Sequence, residues 1–179
     1  MKKVLVICSS LRTNSNSDYL AKKISEGINK ETNEVEIISL KGKVIKYCVG
    51  CLSCQKFNRE CFLKDDANPI IEKIKEADKI LFVSPIYYYN IPGQLKTLLD
   101  RTNPLFLSDY KFRDIYFASV AAEEESTTPI KAIESIKGWV DCFEKAKFKE
   151  SFFVGGVTEP KEILKVLNDN QALNFGRKI

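Results

Sequence analysis

The chain contains no histidine. Without an imidazole, a Ser-His-Asp or Cys-His nucleophile, a histidine general base and any zinc site with a histidine ligand are excluded. The turn after the first apolar run also lacks the glycines of a G-x-G-x-x-G or Walker A loop, and no lysine begins the next helical stretch. This absence disfavours a dinucleotide or nucleoside-triphosphate site. The chemistry must come from another side chain, from a metal on thiolates or from a cofactor.

Long apolar runs are missing as well. No stretch of about 18 apolar residues occurs, which excludes a membrane-spanning helix, and the apolar run at residues 4–8 is too short for a signal peptide. We therefore expect a cytoplasmic protein without a membrane partner, whose six cysteines are reduced or bound to metal. The net charge of +4, from 28 basic and 24 acidic residues, is too small to indicate nucleic-acid binding.

The 179 residues, of which 44% are hydrophobic, are enough for one domain with a full core. Apolar runs that alternate with stretches of helical period predict strands joined by helices around a parallel sheet. The strands are predicted at residues 4–8, 34–40, 79–83, 114–120 and 151–154. The helices are predicted at residues 18–28, from 69, from 93, at 130–143 and at 163–167. We predict a single α/β domain over residues 1–179, with a long cysteine-containing loop at 41–68 and three layers joined by right-handed crossovers.

The first predicted strand is followed by a turn rich in hydroxyl and amide side chains. Backbone N–H groups and the helix dipole favour an anion at the start of the next helix, and Arg12 can pair bidentately with phosphate. The next helix, at 18–28, is predicted to have Ser17 as its N-cap. The alternative to an anion site is that the serines and asparagines of this turn only cap that helix. Five of the seven residues at 12–18 are Asn, Ser or Asp, more than one cap needs, which favours a phosphate monoester site.

A second distinctive turn follows the third predicted strand, at residues 84–96 (SPIYYYNIPGQLK). Open parallel sheets bind ligands beyond the carboxyl ends of their strands, and in the order 2-1-3-4-5 the switch point lies between strands one and three. The tyrosines at 87–89 lie between two prolines and offer a flat apolar wall for an aromatic ring. The alternative is a hydrophobic plug or a dimer contact.

Both turns are similar to motifs of a known family. Residues 9–17 (SSLRTNSNS) resemble a phosphate loop G-S-P-R-x-x-G-N-T, with Ser9 and Ser15 in place of glycine, Leu11 in place of proline and Ser17 in place of threonine. Residues 84–87 (SPIY) and 92–101 (PGQLKTLLDR) resemble the signature S-P-[VI]-Y followed by P-x-x-L-K-x-x-x-D-R. These motifs belong to the flavodoxin-like NAD(P)H-dependent FMN reductases, whose iron–sulfur flavoprotein branch the chain resembles most. The resemblance extends over the whole chain.

The resemblance implies a flavodoxin-like fold with a five-stranded parallel sheet of order 2-1-3-4-5, and FMN as the cofactor. It implies NAD(P)H or a redox protein as the electron donor, a small-molecule acceptor, and a homodimer or homotetramer. It places the FMN phosphate at Ser10, Arg12, Asn14, Ser15, Asn16 and Ser17. It places the isoalloxazine along Pro85, Ile86, Tyr87, Tyr88, Tyr89 and Asn90. The chain departs from the family in the loop after the fourth strand, which reads AAEEES at 121–126 instead of being glycine-rich.

The cysteines form a compact motif. Cys48, Cys51, Cys54 and Cys61 follow the spacing C-x2-C-x2-C-x6-C, whose opening is that of ferredoxin-like loops and predicts a [4Fe-4S] cluster. Zinc on four cysteines more often uses two separated C-x2-C pairs. Iron–sulfur flavoproteins have such a motif, whereas other relatives keep similar cysteines without a cluster, so a cluster, zinc and free thiols all stay open. Cys8 and Cys142 lie in strand and helix patterns and are predicted to be core residues.

The sequence thus predicts an FMN-dependent oxidoreductase. FMN supplies the chemistry, so no catalytic side chain is assigned, which agrees with the absence of histidine. The alternatives are an electron carrier that relays single electrons between FMN and a [4Fe-4S] cluster, and a zinc-stapled binding module without flavin. The exposed tyrosine turn and the apolar residues at 105–107 predict a homo-oligomer.

Overall fold

The computed structural model describes residues 1–56 and 60–179, which contain a five-stranded parallel β-sheet of strand order β2-β1-β3-β4-β5. The strands are β1 (Lys2–Cys8), β2 (Asn33–Ser39), β3 (Lys79–Pro85), β4 (Asp114–Val120) and β5 (Lys147–Val154). Side chains of β1, β3 and β4 are buried on both faces, whereas β2 alternates and pairs with β1 alone, as an edge strand does. The predicted flavodoxin-like strand order is confirmed.

Helices cover both faces of the sheet. They are α1 (Asn16–Gly27), α2 (Ser53–Lys56), α3 (Ala67–Glu76), α4 (Gly93–Arg101), α5 (Ile130–Val140), α6 (Ile163–Val166) and α7 (Asp169–Arg177), with a 3-10 helix at Asn103–Leu107. Alternate strand residues feed two apolar cores: Leu5 and Ile7 face α3, α4 and α5, whereas Val4 and Val6 face α1 and α7. The predicted three layers are confirmed. Within the described ranges, no helix has the length and apolar character needed to cross a membrane.

Two helices begin earlier than predicted. α1 begins at Asn16 with Ser15, not Ser17, as its N-cap, because the Ser15 hydroxyl accepts from the Asp18 N–H while the Asp18 carboxylate accepts from the Ser15 N–H. This reciprocal capping box fixes the start of the helix. α3 begins at Ala67 rather than at Pro69. Pro69 is tolerated there because N–H groups in the first turn of a helix have no partner within the helix.

The C-terminal helix α7 was missed by the sequence pattern. The helix predicted at 163–167 is only the short helix α6, Ile163–Val166, and α7 follows it with Ala172 and Phe175 buried in the core on the α1 side. α7 packs directly against α1 through glycine. A Cβ atom on Gly27 would overlap the Leu173 carbonyl, and one on Gly176 would overlap the Ile24 carbonyl. This backbone-to-backbone contact needs both glycines, which are far apart in sequence.

The two isolated cysteines differ in environment. Cys8 is buried as predicted, and its thiol donates to Asp18 Oδ1 at 3.1 Å. Burial, together with the Asp18 carboxylate, raises the pKa of the Cys8 thiol. The prediction that Cys142 lies in the core is wrong, because Cys142 is exposed. It follows the end of α5 in a turn where Val140 and Phe143 occupy the inward positions.

Candidate functional site

The largest cavity described, about 390 Å³ in volume, lies beyond the carboxyl ends of β1, β3 and β4. This volume falls within the range of about 300 to 1,000 Å³ for small-molecule sites. The position is the topological switch point of the sheet, because the chain leaves β1 toward one face and β3 toward the other. Both predicted turns meet there. Its lining includes Ser10, Arg12, Ser15, Asn16, Ser17, Pro85, Ile86, Tyr87, Tyr88 and Tyr89.

Two residues predicted from the resemblance, Asn14 and Asn90, do not line this cavity. Asn14 adopts a positive φ of 52° and shapes the turn between β1 and α1. The Asn90 side chain is engaged elsewhere: its Oδ1 accepts from its neighbour Ile91 N–H and from the Ser135 hydroxyl of α5. Both residues therefore shape the two loops rather than facing the cavity.

The serine-rich turn presents one unused donor at the base of the cavity. Ser10, Ser15 and Ser17 are all buried. The Ser15 hydroxyl caps α1, but the Ser17 hydroxyl has no hydrogen-bond partner in the part of the chain that the structure describes. Buried hydroxyls are normally paired, because an unpaired one costs about 1 to 3 kcal/mol. Together with the N-terminus of α1, this hydroxyl forms a cradle that fits a phosphate group.

A segment after β5 closes one side of the cavity, and the sequence pattern gave no signal for it. Arg12 donates from Nη1 to the Thr158 carbonyl at 2.6 Å, and Asn16 donates from Nδ2 to the Glu159 carbonyl at 2.9 Å. The Ile163 N–H in turn donates to Asn16 Oδ1 at 3.2 Å. Thr158 and Val157 line the cavity. Asn16 thus acts as a clasp between the turn and this segment, and the Arg12 guanidinium lies at the rim.

The tyrosine turn forms the wall opposite. Tyr87 and Asn90 exchange backbone hydrogen bonds of 2.9 and 3.0 Å, and the two residues between them have positive φ values, 51° at Tyr88 and 62° at Tyr89. This is the type I′ pattern, which favours Asn-Gly and strains bulky side chains. Tyr88 is fully exposed at 101%, and Tyr89 at 49%. Strain of this kind is typical of ligand-binding positions.

We predict that the double substitution Tyr88→Asn, Tyr89→Gly makes the flavin-free protein more stable. Relief of the positive-φ strain should raise the free energy of unfolding by about 1 to 2 kcal/mol, measured by urea denaturation. The same substitution should weaken FMN binding, measured by quenching of flavin fluorescence, because the aromatic wall is lost. A fall in stability, or unchanged FMN affinity, would contradict a binding role for these rings.

The loop after β4, at residues 121–126, packs closely against the backbone that follows β5. Residues 121–125 contain no glycine, yet Ala121, Ala122 and Glu123 line the cavity. Gly155, just after β5, packs beneath them: a Cβ atom there would lie 2.5 Å from the Glu123 carbonyl oxygen and 2.6 Å from Glu124 Cα. Family members commonly have glycine in the loop after β4. In this chain the close backbone approach is made possible by Gly155 in the segment after β5.

A second, smaller cavity collects the four-cysteine motif. Cys48, Cys51, Cys54 and Cys61 line it together with Arg101. Residues 57–59, which the loop prediction includes, lie outside the described residues. The remaining lining is mostly apolar and contains no carboxylate. By donor type, a sulfur-only set without carboxylate or imidazole is that of an iron–sulfur cluster or of a four-cysteine zinc site. In the described ranges, no group of three or more His, Cys, Asp or Glu side chains is placed to hold a single metal ion.

Two of these thiols have pKa values that are shifted in opposite directions. The Ser53 hydroxyl and N–H groups lower the pKa of Cys51, which favours the thiolate needed for metal binding. Burial, and then the negative charge of Cys61, raise the pKa of Cys54. The like charge of the other thiolates works in the same direction. A metal that neutralises the group would remove this repulsion.

The loop that holds the cysteines is anchored by a buried ion pair. Arg101, at the end of α4, donates from Nη1 to Asp65 Oδ2 at 2.6 Å, and both side chains are almost fully buried. Burial by itself raises the Asp65 pKa, but hydrogen bonds from Arg101, Lys46 N–H and Ala67 N–H hold that pKa below its ordinary value. The resemblance placed Arg101 in a family signature without a role. The structure shows that it fastens the cysteine loop.

Comparisons with known proteins agree with this geometry. The sequence model of the NADPH-dependent FMN reductase family matches residues 2–135. The chain belongs to this family. FMN is accordingly its cofactor, as predicted.

Several relatives of this family member are flavoproteins. An iron–sulfur flavoprotein of Archaeoglobus fulgidus is 39% identical over 59% of this chain and 51% of its own length. An FMN-dependent NADH:quinone oxidoreductase of Metamycoplasma arthritidis is 30% identical over 86% of this chain and 79% of its own length. The chain spans about half the length of the first of these relatives. The solved NAD(P)H:quinone oxidoreductase from Methanothermobacter marburgensis has the same fold, with a TM-score of 0.77 and 16% identity over 99% of this chain and 96% of its own.

Proposed function

We propose that this chain is an FMN-dependent oxidoreductase that passes electrons from NAD(P)H or a redox partner to a flavin, quinone or similar acceptor. The observation that carries this proposal is the switch-point cavity. There a buried Ser17 hydroxyl, which has no partner among the described residues, lies opposite a strained aromatic turn. One end fits a phosphate and the other fits a flat ring. When bound, FMN supplies hydride and single-electron chemistry.

The residues of the chain bind and orient the cofactor. We place the FMN phosphate on the turn at 10–17, with Ser10 and Ser17 below it and Arg12 at the rim. Pro85, Ile86 and the three tyrosines would hold the isoalloxazine, and residues 121–123, in the loop after β4, would limit the access of water to the site. Asn14 and Asn90 support these loops from outside the cavity.

We further propose that Cys48, Cys51, Cys54 and Cys61 hold a [4Fe-4S] cluster. The single small cavity that they share, its sulfur-only donor set and the buried cation beside it support this occupant over free thiols. The family relationship to iron–sulfur flavoproteins adds support. Metal analysis of anaerobically reconstituted protein distinguishes the three alternatives. It should find iron if a cluster is bound, zinc if zinc is bound, and neither metal if the thiols are free.

Steady-state oxidation of NAD(P)H tests the proposed activity. Protein loaded with FMN should oxidise NADH or NADPH with a quinone or free flavin as acceptor, at a rate proportional to its FMN content. A flavin-free sample is the control. Turnover no faster than that of free FMN would contradict the proposal.

The second candidate function is an electron carrier that relays single electrons between FMN and the cluster. The cavity lined by four cysteines favours it, because an NAD(P)H oxidase alone has no need of that site. A carrier would show only slow background oxidation of NAD(P)H. It would still exchange electrons with an artificial one-electron donor such as reduced viologen, and rapid mixing would resolve the reduction of both centres.

We expect a homodimer or homotetramer in the cytoplasm, formed by one domain over residues 1–179. Tyr88, Tyr89, Phe106 and Leu107 are exposed, whereas Leu105, which the sequence placed among the exposed residues, is buried. The exposed set supports pairing through an apolar surface. Sedimentation of the FMN-loaded protein at micromolar concentration should give at least twice the monomer mass of 20.4 kDa. A monomer would contradict this prediction.

A further inference from the structure

The cavity of the four cysteines contains a buried cation with one unused donor. Arg101 is 1% exposed, and its two terminal nitrogens are fully engaged. Nη1 donates to Asp65 and to the Lys46 carbonyl at 2.9 Å, and Nη2 donates to the Leu63 carbonyl at 3.0 Å and to Asn68 Oδ1 at 3.4 Å. The third nitrogen, Nε, is buried and has no hydrogen-bond partner among residues 1–56 and 60–179. A guanidinium held this rigidly cannot turn its free N–H toward solvent.

Cys61 lines the same cavity as this guanidinium, and its backbone is linked to Arg101 through Asn68. Burial by itself lowers the Arg101 pKa, but the hydrogen bond that Arg101 donates to the Asp65 carboxylate holds that pKa above its ordinary value. Asn68 also donates to the Cys61 carbonyl at 3.2 Å, so the backbone of Cys61 is fixed beside Arg101. Neutral thiols are weak hydrogen-bond acceptors, whereas a cluster on thiolates is anionic and accepts N–H donors at its sulfurs.

We propose that Arg101 is the internal counter-charge of the iron–sulfur cluster, with its free Nε–H available to the Cys61 sulfur, and that it raises the reduction potential of the cluster. This inference rests on the proposed cluster. Reduction adds one electron and therefore negative charge, which a buried cation stabilises in a medium of low polarity. Arg101 is a positioning and tuning residue, because the metal ligands are the four thiolates.

Arg101 and Asp65 carry opposite charges, so removing one or the other should shift the reduction potential of the cluster in opposite directions. In the full-length reconstituted protein, Arg101→Gln removes a positive charge and should lower the potential, whereas Asp65→Asn removes a negative charge and should raise it. Arg101→Lys keeps the charge and should give a smaller shift than Arg101→Gln. Lys56→Gln is the matched control. It also removes a positive charge close in sequence to the cysteines, but this charge is exposed and therefore screened by solvent.

The measurement is a redox titration followed by the electron paramagnetic resonance signal of the reduced cluster, with iron determined on the same samples. At the midpoint potential of the unsubstituted protein, Arg101→Gln should lower the ratio of reduced to oxidised cluster at least tenfold, equivalent to about 59 mV for a one-electron couple. Asp65→Asn should raise that ratio. A merely structural role would lower iron content in both variants without moving the two potentials apart.

The outcomes of this experiment distinguish the role of Arg101 from the proposed cluster and from the proposed FMN site. Iron-loaded protein whose potential is the same in Arg101→Gln, Asp65→Asn and Lys56→Gln would overturn the role of Arg101 and leave the cluster in place. Unsubstituted protein that takes up no iron on anaerobic reconstitution would overturn both the cluster and this inference, while FMN binding would still be measured separately. If Arg101→Gln does not fold, the opposite pair Asp65→Asn and Arg101→Lys decides the question.

Discussion

Replacing both Arg12 and Ser17 with alanine should weaken FMN binding about 100-fold and leave riboflavin binding nearly unchanged. Both side chains line the cavity at the end where the phosphate is placed. Each hydrogen bond to a charged group contributes about 1.5 to 3 kcal/mol, so two lost contacts cost about 3 kcal/mol, equivalent to about 100-fold in the dissociation constant. Riboflavin lacks the phosphate and does not use these contacts. Flavin fluorescence titration measures both constants.

The control for this variant is Thr13→Ala, which removes a hydroxyl from the same turn at a position outside the cavity lining. It should bind FMN normally. Ser17→Ala alone gives a second diagnostic. Because the Ser17 hydroxyl has no partner within the described structure, its loss should not lower the stability of flavin-free protein. Equal losses of FMN and riboflavin affinity in the double variant would refute the placement of the phosphate.

Replacing either Cys54 or Cys61 with serine should abolish the iron of the reconstituted protein and its absorbance near 400 nm beyond the flavin bands. A cluster of this type needs its thiolate ligands, and serine is a poor replacement for a soft donor. FMN should stay bound with unchanged affinity, because the phosphate turn lies in a separate cavity. Iron and sulfide analysis after anaerobic reconstitution, with an FMN titration on the same samples, measures both effects.

Cys142→Ser is the matched control, since Cys142 is an exposed thiol outside the cysteine cavity. It should leave iron and FMN content unchanged. Cys8→Ser should also leave iron content unchanged, although its buried position makes it the less direct control. Zinc in place of iron, or neither metal in the unsubstituted protein, would refute the cluster and leave the loop as a thiol-bearing segment.

The sequence was sufficient for the parts of this protein that local patterns govern. Residues 4–8 and 80–83 are continuously apolar because both faces of β1 and β3 are covered, and this pattern predicts a parallel sheet. The two loop motifs then placed the cavity at the switch point, because carboxyl ends of parallel strands meet at one edge. Ten of the twelve predicted flavin-contacting positions line one cavity for this reason.

Only the tertiary structure decided features that depend on contacts distant in sequence. The clasp of Arg12 and Asn16 on residues 158–163 joins segments about 145 positions apart, which no local period reveals. The packing of α7 on α1 depends on glycines at 27 and 176, each ordinary by itself. The Ser17 hydroxyl and Arg101 Nε likewise have no hydrogen-bond partner among the described residues. Only the fold reveals this, because whether a polar group is satisfied depends on what surrounds it in three dimensions.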